Sequence, residues 1–371
     1  MDFFGSGFRG TFLKRSLIRK DRQFLCQLHN FVFSALYKRR LPDNALRSCN
    51  IQCNTGVGSE KQSKMHSHIP LACATTRCMD TETKIVTYNK PLMENIWFEP
   101  IYKRSSHRDG AIYRNQLFKE EWIDADITDR NETLLEPMMF SEVTENCVHD
   151  PENCMVHFPR DMLQFMSLMV VDSPVCNGSM QLYGYIAVRD ERDWMLNYVF
   201  NHSRDDPIIV QQGSLIEMTG PKRGIEMSPP VLIEMDIRVK NGELEEDDLE
   251  LIDAAISCTL RRPWKPIKHR IVGNCGTVDM NLAFVVYAVE ATIEVVIAEV
   301  QRGLSFSLSA LVYIAEDYEE IQLFHGTIDQ SISLRRFVVA VTKGTELLLK
   351  FKMDAFLVAY WFRAGLNPIF D

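Results

Sequence analysis

Residues 231–240, VLIEMDIRVK, carry an apolar side chain at every second position: Val231, Ile233, Met235, Ile237 and Val239. The intervening Leu232, Glu234, Asp236, Arg238 and Lys240 are mostly polar. Successive side chains of an extended strand point to opposite sides, so a period of two marks a strand with one face on a core and one toward water. A helix would scatter the same residues around its circumference. Asn241-Gly242 follows and supplies a turn.

The alternation recurs. Leu304, Phe306 and Leu308 alternate with Ser305, Ser307 and Ser309. Leu347, Leu349, Phe351 and Met353 alternate around Leu348, Lys350 and Lys352, and Ile293, Val295 and Ile297 alternate with Thr292, Glu294 and Val296. RRFVVAV, from Arg335 to Val341, is β-branched and runs to a Lys343-Gly344 turn. About ten strands are expected between residues 165 and 353, at the spacing of sandwiches and barrels. Long amphipathic patterns are missing there, which disfavours a parallel α/β sheet. The expected fold is mainly β: an antiparallel β-sandwich with a poorly ordered, partly helical N-terminal arm.

Four segments are expected. Residues 1–120 form a basic, largely disordered arm with an amphipathic helix over Phe24–Tyr37. Residues 121–160 are a lead-in that packs on the body, and residues 161–353 are the sandwich. Residues 354–371, DAFLVAYWFRAGLNPIFD, break the alternation. This tail reads as a docked helix or as a divergent replacement for normal strands. A missing strand would leave an unpaired edge.

Charge divides the chain the same way. Residues 1–110 hold 18 Lys and Arg against 9 Asp and Glu, which leaves 23 basic and 41 acidic residues for the rest. Phosphate contact needs clustered Lys and Arg, so the acidic body is excluded as a broad nucleic-acid surface. The basic arm could meet nucleic acid, an anionic membrane or the acidic body. Met280–Val300 is long enough to span a membrane, but Glu290, Glu294 and Glu299 interrupt it, and the reading is strand. The N-terminus lacks the apolar core of a secretory signal, and its Arg-rich, acid-poor start is only weakly transit-like. The expectation is an intracellular, cytoplasmic or nuclear protein that is not secreted, with its ten Cys reduced. On that basis three sequons, at Asn131, Asn177 and Asn201, carry no weight.

Motifs for chemistry are weak. GSGFRG, with Gly5, Gly7 and Gly10, lacks the preceding strand of a dinucleotide fingerprint. Cys49, Cys53, His66, His68, Cys73 and Cys78 are zinc-compatible types without paired C-x2-C knuckles. Glu299 and Arg302 have the spacing of a ribosome-inactivating pair, but Gly303 and the β-branched run before them indicate a strand end. No nucleophile elbow, P-loop or H-E-x-x-H motif occurs, and His202, His269 and His325 form no constellation. No catalytic residue and no organic cofactor is expected.

Two charge knots, RDERD (residues 189–193) and SRDD (residues 203–206), cut the strand-like runs between residues 181 and 210. Their simplest reading is solvated sheet ends, with Arg189, Arg192 and Arg204 neutralising acidic neighbours. Carboxylates on loops at one end of a sheet can also bind Ca2+ through six to eight oxygens. The calcium candidates are Asp205, Asp206, Glu245, Glu246, Asp247 and Asp248.

The run from GSMQLYGYIAVRDERDWMLNYVFNHSRDDPIIV through PPVLIEMDIRVKNGELEEDDLELID, VDMNLAFVVYAVEATIEVVIAEV and IQLFHGTIDQSISLRRFVVAVT resembles the domain-of-unknown-function 6598 family of grasses. RNETLLEPMMFSE and HFPRDMLQFMSL resemble its lead-in, so the likeness covers residues 121–353 and stops near Met353. It implies a β-rich domain without an assigned reaction. Fusion of some members to ribosome-inactivating (rRNA N-glycosidase) domains implies a plant-defence context. The expected function is therefore a non-catalytic module that binds an unidentified protein or ligand. The alternatives are a protein associated with rRNA N-glycosidase activity and a calcium-dependent binding module.

Overall fold

The computed structural model describes residues 106–114, 126–137, 159–173, 178–227, 230–260, 264–297, 300, 303–353 and 356–363, together with the backbone of 84–87 and 96–100. The arm helix over Phe24–Tyr37, GSGFRG, the six Cys and His of the zinc-compatible set, and the Glu299–Arg302 pair lie outside these residues.

The described residues contain no α-helix and are mainly strand. Strands are numbered in chain order. A six-stranded sheet has the order β2 (Ile96–Pro100), β10 (Leu249–Leu260), β9 (Val231–Val239), β4 (Ser179–Asp190) and β5 (Asp193–His202), with β6 (Ile208–Gln211) also on β4. A seven-stranded sheet has the order β1 (Lys84–Thr87), β11 (Trp264–Val272), β12 (Thr277–Ile293), β3 (Arg160–Asp172) and β7 (Leu215–Ile216). Here β8 (Ile225–Glu226) joins β3, and β17 (Phe337–Thr342) joins β12. A four-stranded sheet runs β15 (Asp317–Ile328), β14 (Leu304–Ile314), β18 (Glu346–Met353) and β19 (Phe356–Arg363). The short β13 (Val296–Ile297) and β16 (Ile332–Ser333) pair with each other. All of these strand pairs are antiparallel.

Two apolar cores follow from the alternation. The first joins the six- and seven-stranded sheets, with Ile186, Ile233, Met235 and Ile256 from one and Phe165, Leu168, Met280 and Leu282 from the other. The second joins the seven- and four-stranded sheets through Met166, Val285, Phe306, Leu308, Val339 and Phe351. β12 contributes to both, because its two faces bear different apolar sets. Val278, Met280, Leu282 and Phe284 enter the first core, and Ala283 and Val285 enter the second. The pairing with β3 shifts register between Val285 and Ala288, and past it Ala288, Ala291 and Ile293 continue in the second core. The Met280–Val300 segment is thus strand over most of its length, and Glu290 is buried with its carboxylate accepting the Gly224 N–H at 3.0 Å. Among the described residues no helix is long and apolar enough to cross a membrane.

Four readings of the sequence need correction. Val231–Val239 is a strand, but it is buried on both faces rather than half-buried, with Glu234 fully covered and Arg238 nearly so. The stretch before residue 120, expected to be largely a disordered arm, includes segments that join the sheets. Lys84–Thr87 pairs with β11, Ile96–Pro100 pairs with β10, and residues 106–114 bury His107 and Ile112. The part of the tail over Phe356–Arg363 is neither a helix nor a gap, but a strand on β18. Finally, the cysteines are not all reduced, since Cys275 is disulfide-bonded while buried Cys258 is free.

Candidate functional site

Among the described residues a dense set of ionisable groups lies on the side of the six-stranded sheet away from the first core. Antiparallel partners point the same way, and register places Tyr185 opposite Asp236, Tyr183 opposite Arg238, and Asp253 opposite Asp236. Glu234 has small partners on both sides, Ala187 and Ala255. These alanines leave room above the carboxylate, and residues 106–114 fill it.

His107 is the plug. Its Nδ1 lies 2.6 Å from Asp253 Oδ1, and its Nε2 lies 3.3 Å from Glu234 Oε2. Its backbone N–H also donates to Asp253, and Ser106 Oγ donates to Asp253 Oδ2 at 2.9 Å. Glu234 accepts further bonds from Arg189 Nε at 2.5 Å and Tyr113 Oη at 2.6 Å. The rings of Tyr113 and Tyr185 stand edge-on to the imidazole, with centroids at 5.7 and 5.9 Å. Arg130 Nη2 donates to the His107 carbonyl from the neighbouring segment.

Electrostatics follow from this packing. Burial alone would lower the His107 pKa, but the hydrogen bond to Asp253 and the adjacent Glu234 carboxylate outweigh it and raise the value to about 9. Burial would raise Glu234, yet His107 and Arg189 hold it at about 2. Asp253 is lowered against its burial by the same histidine. Burial and the nearby Glu234 charge push the Tyr113 phenol up. An imidazolium gripped by two carboxylates has no lone pair for base catalysis. With His107 and Glu234 both 0% exposed at the side chain, a substrate has no approach. The cluster is a clasp that fastens residues 106–114 to the sheet.

The first charge knot corrects the expected reading of its charges. RDERD is a solvated turn only at its tip, where Glu191 is exposed, because Arg189 and Asp190 are buried. Arg189 donates to Glu234, to the Trp194 carbonyl and to the Asp129 carbonyl. Asp190 takes a two-pronged ion pair from Arg223, with both bonds at 2.7 Å, and also accepts the Glu226 N–H. Arg192 and Arg160 both pair with Glu226. Asp193 accepts from Thr133 Oγ1 at 2.6 Å, which anchors residues 131–135 beside β5. The second knot is solvated as expected, with Asp205 and Asp206 exposed.

The calcium candidates come partly together. Arg204 of the second knot donates to both oxygens of Asp248, at 2.7 and 3.1 Å, so the two loops do meet. Asp248 also accepts from Tyr183 Oη and the Asn241 N–H. Its carboxylate is therefore fully engaged, with a guanidinium where a cation would sit. Burial pushes its pKa up, but Arg204, the Asn241 N–H and Tyr183 bring it below the ordinary value. Glu245 pairs with Arg108 at 3.1 Å, while Glu246 and Asp247 are exposed on a short 3-10 turn. Among the described residues no three His, Cys, Asp or Glu side chains converge to hold a metal ion.

Two surface features remain. An open groove of about 410 Å3 is lined by Met166, Ile208, Ile209, Leu215, Met218 and Phe324 among others. The second feature is β19. It pairs with β18 from Phe356 to Arg363, and among the described residues no strand takes its other edge. Val358, Tyr360 and Phe362 pack against the second core, while Leu357 is 62% and Trp361 47% exposed. Trp361 meets Tyr318 edge-on across the same surface, with centroids at 6.0 Å. The sequence reading missed both His107 and this edge. The signal for His107 was the charge in the middle of β9 beside Tyr185 and Arg189 of β4, more than a solvated face requires.

Comparison with curated proteins and with solved structures gave no match for this chain. A family model does match, over residues 162–356, which is more than half of the chain and ends where β19 begins. The chain belongs to the family described as a domain of unknown function, DUF6598.

Proposed function

We propose that this chain is a non-catalytic binding module that captures a protein partner by strand addition at β19. The outer edge of β19, which no described strand occupies, carries the reading. FLVAYWFR has no charge before Arg363 and no proline, and it presents the exposed Leu357 and Trp361 on a strand whose described partner is β18. Edges left open are ordinarily guarded by charge, proline or a bulge, and peptide recognition commonly uses such an edge. The partner is an extended segment whose alternate apolar side chains lie along Leu357 and Trp361. A plant-defence role is supported only by the family resemblance, and no described residue favours rRNA cleavage.

Alternate N–H groups of an edge strand point away from the sheet. Of Val358→Pro and Ala359→Pro, one therefore removes an outward donor and the other breaks a bond to β18. Partners crosslinked to the full chain should be lost with the outward variant while its melting midpoint stays near the wild type. Crosslinking that neither proline nor Trp361→Lys alters would refute strand addition.

A further inference from the structure

We infer that Asn201 carries an N-linked glycan and that the chain matures in an oxidising, secretory compartment. Two independent observations converge on this. The first is the disulfide at Cys275. Disulfides persist in secretory compartments and are rare where glutathione keeps thiols reduced. That removes the ground on which the sequons could be set aside, and their geometry then decides between them.

Asn201-His202-Ser203 satisfies N-x-S/T with a non-proline middle residue. Asn201 is exposed at the end of edge strand β5, and Ser203 is exposed in the turn that follows. Ser203 closes that turn by accepting the Asp206 N–H through both its carbonyl and its Oγ, each at 3.2 Å. Nothing in this turn has to open for a glycan to project into solvent. The outer edge of β5 is otherwise occupied. Leu196 bonds to Asn131 and Thr133, and the Val199 carbonyl accepts from Thr219 and Gly220. Asn201 lies past these contacts.

The sequon at Asn131 differs. Its Thr133 is fully buried, with the hydroxyl held by Asp193, and the Asn131 carbonyl accepts the Leu196 N–H. That sequon forms part of the fastening of residues 131–135. The sequon at Asn177 lies outside the described residues.

The reaction is a glycosyl transfer. Asn201 Nδ2 bonds to the anomeric carbon of a lipid-diphosphate-linked oligosaccharide. The carbon–oxygen bond to the diphosphate breaks, the lipid diphosphate leaves, and the amide proton passes to the transferase's base. No oxidant is consumed.

The test is intact-mass and peptide analysis of the full chain expressed in eukaryotic cells, before and after peptide-N-glycosidase treatment. Asn201→Gln and Asn131→Gln are run alongside, and Cys275 is alkylated with and without prior reduction. The expected result is a glycosidase-sensitive mass that Asn201→Gln abolishes and Asn131→Gln keeps, with Cys275 alkylated only after reduction. Because Asn201 is exposed, Asn201→Gln should melt like the wild type. An unmodified Asn201 in the folded chain overturns the inference, whatever the state of Cys275. So does a Cys275 that alkylates without reduction.

Discussion

His107 Nδ1 and Asp253 Oδ1 are 146 residues apart along the chain and 2.6 Å apart in the fold. That bond fastens residues 106–114 onto the six-stranded sheet and closes its charged face. Removing one partner of a buried ion pair strands the other, at a cost of about 3–5 kcal/mol. His107→Ala and Asp253→Ala should each lower stability by roughly that amount, read from denaturant midpoints at pH 6. A loss under about 1 kcal/mol would mean that water reaches the carboxylates.

The same histidine gives stability a defined pH dependence. The folded value of about 9 lies above the ordinary 6.5, so the folded state holds the proton more tightly. This contribution is complete below pH 6.5 and is lost as pH rises through 9. Glu234 acts at the other end. Its contribution is present above its ordinary 4.5 and is lost as pH falls toward 2. Melting midpoints should therefore fall between pH 6 and pH 9.5, and His107→Gln should flatten that fall. An equal slope in both proteins would assign the alkaline loss to other groups.

Arg223 and Asp190 offer a double-mutant cycle. Arg223→Met alone or Asp190→Leu alone leaves an unpaired buried charge and should cost about 3–5 kcal/mol. The double variant should lose much less than the sum. It retains a deficit of about 1–3 kcal/mol, because the Glu226 N–H no longer has the Asp190 acceptor. Additive losses would show that the two-pronged bond is not made in solution.

Gly184 sits in β4 with φ near +105°, and a Cβ there would lie 2.0 Å from the Asp236 carbonyl oxygen. Both the backbone conformation and the contact exclude a side chain. Gly184→Ala should cost more than about 3 kcal/mol, read by urea midpoint. Gly213→Ala is the control. It has a positive φ but open space around it, and should cost only about 1 kcal/mol.

Ending the chain after Met353 should expose β18 along its length and strip Val358, Tyr360 and Phe362 from the second core. Light scattering should report self-association of the shortened chain at concentrations where the full chain stays monodisperse. Equal scattering would show that β19 is dispensable to the sheet.

The strands were legible because burial on one side imposes a period of two, as in the runs at Leu304 and Leu347. The double burial of VLIEMDIRVK was not, because a polar face reads the same whether water or His107 lies over it. The knot RDERD misled for a related reason. Arg223 and Glu226, which neutralise it, lie some 33 and 34 residues away from their partners, and local sequence shows only the charge. FLVAYWFR lacks alternation because Val358, Tyr360 and Phe362 face a core while Leu357 and Trp361 face out, and both sets are apolar. The disulfide was hidden because spacing alone does not reveal which thiols approach in space.

β12 is a party wall: a single strand plastered on both sides, with no seam along which the molecule could be divided. A cut before it deprives one room of its wall, and a cut after it deprives the other. Heating should therefore give a single transition whose calorimetric and van't Hoff enthalpies agree. For anyone trimming or grafting this domain, the piece to keep runs from β1 through β19.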